Sequence, residues 1–399
     1  MPERREVAVA DLRIGMYVAE LDRPWLDTKF AFQGFPITSE ADLEMLRQTC
    51  KKVFIDPEKS SANAALPPPV LPAASVAAPR YPERLPVEQE LEPAKKLFEE
   101  CKQTLQKNVE VLLAGGELDA KGVKASVQKI GDSIERNPDA MLLLTRVRQK
   151  DERQLQRALS VSVLMITFGR FLQLPREDLD LLGLVGLLQD IGKLKVPDAV
   201  LSKREALTPE ERSLARLHVV HSAAMLREAP GLPAGLADLV LMHHERFDGS
   251  GYPRGRAGSE ISMLGHMAAI VDSFCAMTSV RAYAEQMSPS NALAMLYKGR
   301  GTLYHEALVE QFIQCIGIYP VGSVVQLNSG EIAVVIAQNR VRRLQPRVMV
   351  LLDAESKPVT PQRILDLIKE PKSASGESYR IRRTLESSKL PLDPRDFFL

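Results

Sequence analysis

The chain carries no excess of charge of either sign: Lys+Arg 52 stand against Asp+Glu 51. Bulk electrostatics therefore give no reason to expect a nucleic-acid polymer or an anionic membrane as partner. Its four cysteines, Cys50, Cys101, Cys275 and Cys315, are scattered without a CxxC spacing. That excludes a zinc knuckle and a disulfide framework and fits a reducing compartment. No run of about 18 apolar residues occurs, and the start, "MPERREVAVADLRIG", lacks the apolar core of a signal peptide. The expectation is a cytoplasmic protein with no membrane segment. Histidine is also absent from the first half of the chain: none precedes residue 218.

What is present suffices for two or three domains, since 399 residues with 45% hydrophobic content can build more than one core. Residues 1–56 read as a small α+β unit. Short β-like runs break at Gly15, a capping box of Ser39 and Asp42 opens a helix, and "KKVFID" closes with a strand. Residues 57–86, Pro/Ala/Ser-rich, read as a linker. Residues 87–137 read as a helical hairpin, with apolar stripes at Leu97, Cys101, Leu105 and Leu112, then at Val123, Val127, Ile130 and Ile134. The hairpin packs on the next domain, or could instead serve a homodimer. Residues 138–317 are helical by pattern, with breaks at Pro175, Pro197 and Gly231. Residues 318–369 turn to β-rich runs around a hairpin signal at Asn328-Ser329-Gly330, and residues 370–399 read as a loose polar tail.

The helical region also carries the chemistry. His218, His221, His243, His244 and His266, with Asp190 and Asp272, form a set of imidazoles and carboxylates that suits Fe, Mn or Zn. A lone histidine on a helix is usually structural. Adjacent His243-His244, followed by Glu245 and a Gly-rich turn in "HHERFDGSGYP", is harder to assign to packing.

That stretch matches the HHExxDGxGYP signature at every fixed position, and the chain resembles the HD-GYP family. The flanks "DIGKLKVPDAVL" at 190–201, "LTPEER" at 207–212 and "AAIVDSFCAMTSVRAY" at 268–283 agree. "IGIYPVGSVVQLNSGE" resembles the β appendage that often follows such domains, and the N-terminal unit resembles a small domain often found in front. The resemblance implies a mainly α fold. A helical HD core would hold two or three metal ions, with a small α+β domain before it and a small β appendage after it. In active members a metal-activated water attacks a phosphodiester of cyclic di-GMP. Asp190 and Lys193 would take the catalytic positions. Gly251, Tyr252, Pro253 and Arg281 would take ligand-binding ones.

This sequence departs from the family pattern where the early ligands belong. Anchoring the early helix on "FGRFLQL" puts Arg157 at the first His position and Arg153 at the acidic position before it. Gln189 replaces the His of the HD dyad. Guanidinium has only donors and stays protonated, so it cannot ligate a cation. One half of the centre survives as Asp190, His218, His243 and His244; the other is reduced to Asp190 and Asp272. The expectation is one divalent transition metal at most, with Arg157 in the vacated position bonding Asp272 and Gln189 completing the site by hydrogen bonding. The function expected is a degenerate member of cyclic di-GMP signalling, which binds cyclic di-GMP or a signalling protein partner with weak or no hydrolysis. The alternative is an active phosphodiesterase that uses a single metal. A scaffold with neither metal nor nucleotide is the third reading, because Ala284 stands where a basic residue is usual.

Overall fold

The computed structural model describes residues 5–23, 35–37, 40–56, 60, 80–145, 153–203, 205–279, 287–339, 342–373 and 376–385. The chain divides into two compact units, Met1–Pro79 and Arg80–Leu399. The first holds β1 (Arg5–Ala8), β2 (Tyr17–Leu21), β3 (Phe35–Pro36), α1 (Glu40–Thr49) and β4 (Lys52–Ile55), with the strands ordered β1-β4-β2-β3 and antiparallel. Period-2 alternation in β4 buries Val53 and Ile55 against Met16, Val18 and Leu46. Ser39, expected as a helix cap, lies outside the described residues.

The second unit begins earlier than the composition suggested. Residues 80–86, expected as the end of the linker, are docked: the Tyr81 hydroxyl donates to Leu174 O at 2.8 Å and Arg170 Nη2 donates to Tyr81 O at 3.0 Å. A buried aromatic with both ends bonded holds this stretch despite its prolines. Then come α2 (Val87–Leu113), α3 (Ala120–Arg136) and α4 (Pro138–Leu144). Glu90, buried on α2, accepts from Ser133 Oγ at 2.7 Å and from Arg136 Nε at 2.7 Å on α3, which clamps the hairpin. Val123, Val127, Ile130 and Ile134 are buried as their spacing predicts, whereas α2 turns Phe98 inward more deeply than Leu97.

The core continues with α5 (Arg153–Phe171) and α6 (Arg176–Leu188), which cross closely. A Cβ on Gly186 would sit 2.6 Å from the Ser162 backbone, and Ser162 Oγ donates to Gly183 O at 2.8 Å. Around this pair run α7 (Asp198–Leu201), α8 (Pro209–Arg216), α9 (His218–Glu228), α10 (Leu236–Val240), α11 (Met263–Thr278), α12 (Pro289–Lys298) and α13 (Glu306–Ile316). Phe168, Phe274 and Phe312 meet edge to face at 5.2 and 5.3 Å and join α5, α11 and α13. No helix among the described residues is long and apolar enough to cross a membrane.

A second antiparallel sheet follows: β5 (Val324–Leu327), β6 (Ile332–Ala337), β7 (Arg347–Leu352), β8 (Pro358–Asp366) and β9 (Ile381–Leu385), ordered β8-β7-β6-β5-β9. Gly330, at φ 92°, turns the β5–β6 hairpin where Asn328-Ser329-Gly330 signalled it. The segment 370–399, expected loose, instead supplies a strand. Residues 381–385 pair with the free edge of β5, and Tyr379 before them is buried in the sheet core. An open edge with unpaired backbone groups is the physical reason.

Candidate metal centre

The centre forms where the end of α6 meets α9. Gln189 caps α6 with its N–H on Val185 O at 2.8 Å, and beyond Asp190 the chain tightens into a 3-10 turn, Ile191–Lys195. Gly192 makes that approach possible. A Cβ there would lie 2.2 Å from His218 O and 2.3 Å from Ser222 N, while its N–H donates to Ser222 Oγ at 2.8 Å. Only glycine fits, and its passage sets Asp190 beside His218. His243 and His244 follow α10, Asp272 rides on α11, and Arg157 rides on the first turns of α5.

Three imidazoles face Asp190. His218 Nδ1 lies 2.7 Å from Ala215 O and His243 Nδ1 lies 2.6 Å from Val240 O. A carbonyl only accepts, so each Nδ1 carries a proton and Nε2 is the atom each ring turns toward Asp190. Those Nε2 atoms stand 3.2 and 3.9 Å from Asp190 Oδ1. All three atoms are buried without a hydrogen-bond partner among the described residues. Acceptors facing acceptors in a low dielectric repel, unless a cation or a proton sits between them. Asp190, His218, His243 and His244 each offer a ligand atom, all within 4.8 Å of one another. Burial lowers the pKa of His243 and pushes that of His244 well below the ordinary range, so both rings are neutral donors at pH 7. The set fits a divalent transition metal.

Asp272 sits outside this cluster of four. The sequence expectation includes it among the metal ligands, with pairing to Arg157 as the alternative. Arg157 Nη2 donates to its Oδ1 at 2.7 Å, and Gln189 Nε2 donates to the same oxygen at 2.8 Å. Arg157 Nε also lies 3.7 Å from Asp190 Oδ2, the oxygen that accepts from Lys193 Nζ at 2.7 Å. Asp190 is thereby divided: Oδ2 faces two protein cations and Oδ1 faces the imidazoles. Burial alone would raise both carboxyls. Lys193 and Arg157 hold Asp190 well below the carboxylate range, and Arg157 does the same for Asp272. The same two carboxylates overcome the burial of Arg157 and raise its pKa.

The loop after His244 is fastened from below. Glu245, 1% exposed, accepts the Arg254 N–H at 2.8 Å and the Arg256 N–H at 3.0 Å. Gly251 passes so close that a Cβ would lie 2.4 Å from Arg246 N. Tyr252 and Pro253 are half-buried, and the Tyr252 ring stacks on His244 at 4.7 Å and 28°. Arg216, which the sequence reading passed over, lies with its guanidinium 4.8 Å from the Tyr252 ring centre. Its one signal in the sequence was its place two residues before His218. His266 does not join the metal cluster; it packs against His305 and Phe247 and bonds Gly258 O at 3.1 Å. Six residues separate it from Asp272, roughly 240° around a helix, so the two face different sides of α11. His221 lies half-buried beside Gly192, outside the cluster. The Arg153 side chain and Arg281 lie outside the described residues.

Three family profiles match the chain. The one described as HD domain covers residues 142–308, a domain of unknown function (DUF3391) covers 4–123, and a KOW domain associated with HD domain covers 324–374. A cyclic di-GMP phosphodiesterase of Pseudomonas aeruginosa is 37% identical over 372 residues, 91% of this chain and 89% of the relative. A cyclic di-GMP phosphodiesterase of Thermotoga maritima is 40% identical over 129 residues, 32% of this chain and 35% of the relative. A solved structure of an HDG"Y"P protein from Bdellovibrio bacteriovorus matches with a TM-score of 0.47 at 15% identity, over 78% of this chain and 98% of that one.

Proposed function

The chain belongs to the HD-GYP family, and from that premise we propose that it serves cyclic di-GMP signalling as a binding protein whose hydrolysis is weak or absent. The observation that carries this reading is the Arg157 guanidinium, which donates to Asp272 at 2.7 Å and faces Asp190 at 3.7 Å, a fixed positive charge between the two carboxylates. Asp190, His218, His243 and His244 would hold a single divalent ion of Fe, Mn or Zn. Such an ion, when bound, supplies Lewis-acid charge to a phosphate oxygen.

The second half of a two-ion centre is taken by this chain's own side chains. Arg157 and Gln189 saturate Asp272 Oδ1, and Lys193 holds Asp190 Oδ2, which leaves neither carboxylate free to bridge two ions. A guanidinium neutralises the carboxylates and attracts phosphate, but its permanent proton bars it from acting as a base. Stabilisation divided between attacking and leaving oxygens is thereby lost in part. The output is then bound nucleotide presented to a protein partner, and not product. The names of the two relatives support cyclic di-GMP as the ligand.

A second reading, a phosphodiesterase working with one ion, is favoured by the intact imidazole set and by Lys193 on Asp190. One experiment separates the two: titration calorimetry of the metal-loaded chain with cyclic di-GMP, and chromatography of the products beside the Pseudomonas relative. Binding is expected, with turnover at least about a hundredfold below the relative's, a deficit of roughly 2.7 kcal/mol. Equal turnover would establish the second reading.

A further inference from the structure

We propose that Arg216 is a ligand-positioning residue, a guanidinium resting on Tyr252 with no ion pair among the described residues, that takes a phosphate oxygen of the bound dinucleotide. The inference rests on reading the centre as a cyclic di-GMP site. Three other cations near the centre, among the described residues, already have partners. Arg157 is consumed by Asp272 and Lys193 by Asp190. Arg246 donates to Glu245 O at 2.9 Å, reaches Ser273 Oγ at 3.5 Å and lies 5.3 Å over the Tyr304 ring. None of these can turn to a phosphate without leaving a carboxylate or carbonyl behind.

Arg216 differs in kind. It is the last residue of α8, a helix with no buried residue, and it is exposed. Of the helix's two acids, Glu211 is already bonded to Lys203 Nζ at 2.7 Å, and Glu210 stands six positions before Arg216, outside the i,i+3 and i,i+4 spacings that bring side chains together. What holds the guanidinium is the face of Tyr252 at 4.8 Å, and Tyr252 in turn stacks on His244 of the metal cluster. An exposed cation–π contact is worth only about 0.5–1 kcal/mol, less than a charge-assisted bond to phosphate. The group is thus stacked at the rim, one ring away from the cluster, and cheap to release. Leu217 and Val220, 43% and 44% exposed on the helical run that continues from it, give an apolar surface for the face of a purine.

The test uses the full-length metal-loaded chain, titrated with cyclic di-GMP at two ionic strengths. Arg216→Gln keeps the stem and removes the charge; Arg216→Lys restores the charge without the planar fork. Arg216→Gln is expected to weaken binding at least tenfold and to flatten its salt dependence, because a screened ion pair is gone. Arg216→Lys should recover part of the affinity, and both variants should keep the wild-type metal content and melting midpoint. If the wild type binds and Arg216→Gln binds within twofold of it, the assignment of Arg216 fails while the reading of the site stands. If the wild type does not bind, both fail. Lost metal or a lowered midpoint in both variants, with lost binding, would make Arg216 structural and overturn the assignment.

Discussion

Arg157 decides the character of the centre. A cation 2.7 Å from a carboxylate gains on the order of 6 kcal/mol at an effective dielectric near 20, which roughly offsets the several kcal/mol that burying each charge costs. Removing one partner leaves that cost bare. Arg157→Ala, unfolded by urea in the presence of chelator, should therefore lose about 3–5 kcal/mol of stability; an unchanged midpoint would mean that Asp272 does not depend on it. The histidines set the pH response. Burial depresses His243 and His244, whereas in the unfolded chain they titrate near 6.5. Above that pH both states are neutral and the rings cost nothing. As pH falls below about 6.5 the unfolded chain takes up protons that the folded chain resists, so stability declines. Asp190 and Asp272, held low, add a further loss below about pH 4. The melting midpoint of the metal-free protein should be flat from pH 8 to 7 and fall on acidification; a rise would contradict this. Arg157 was placed through the family resemblance, by anchoring the early helix on "FGRFLQL", and the loss of both early ligands was legible because no histidine precedes residue 218. Which oxygen each cation takes was not legible, since that depends on the packing of α5, α6 and α11.

At the scale of elements, the centre depends on one close crossing. Gly192 lets the turn after Asp190 lie on α9, and the Ser222 hydroxyl fixes it there. Gly192→Ala would force a methyl to within 2.2 Å of a carbonyl oxygen, so the turn or α9 must shift. The expected result is a lower melting midpoint together with weakened metal retention, because His218 sits at the contact. A variant that melts lower yet holds metal as tightly as wild type would show that the crossing does not position the ligands. The breaks read at Pro175 and Pro197 fall immediately before α6 and α7. Strand β8 was not. It contains Pro358 and Pro361 and is mostly exposed, so it shows no alternation. The arginines of β9 masked its pairing in the same way; what makes it a strand is the waiting edge of β5, a long-range fact.

For the whole molecule, the folding unit from Arg80 onward joins the hairpin, the helical core and the second sheet. Gln338 N–H donates to Asp139 Oδ2 at 3.0 Å, and Arg347 pairs with Glu88, so the sheet is bound to the first helices of the unit. The fold class was legible from periodicity and from the match at residues 243–253; the docking of residues 80–86 and 376–385 was not, because composition there reads as linker and tail. The central claim is that one side of the centre is built for an ion and the other is already filled by Arg157. Elemental analysis of protein purified from medium supplemented with iron, manganese and zinc tests it most directly. At most one equivalent per chain, lost in His243→Ala, is the predicted result; two equivalents per chain would contradict it.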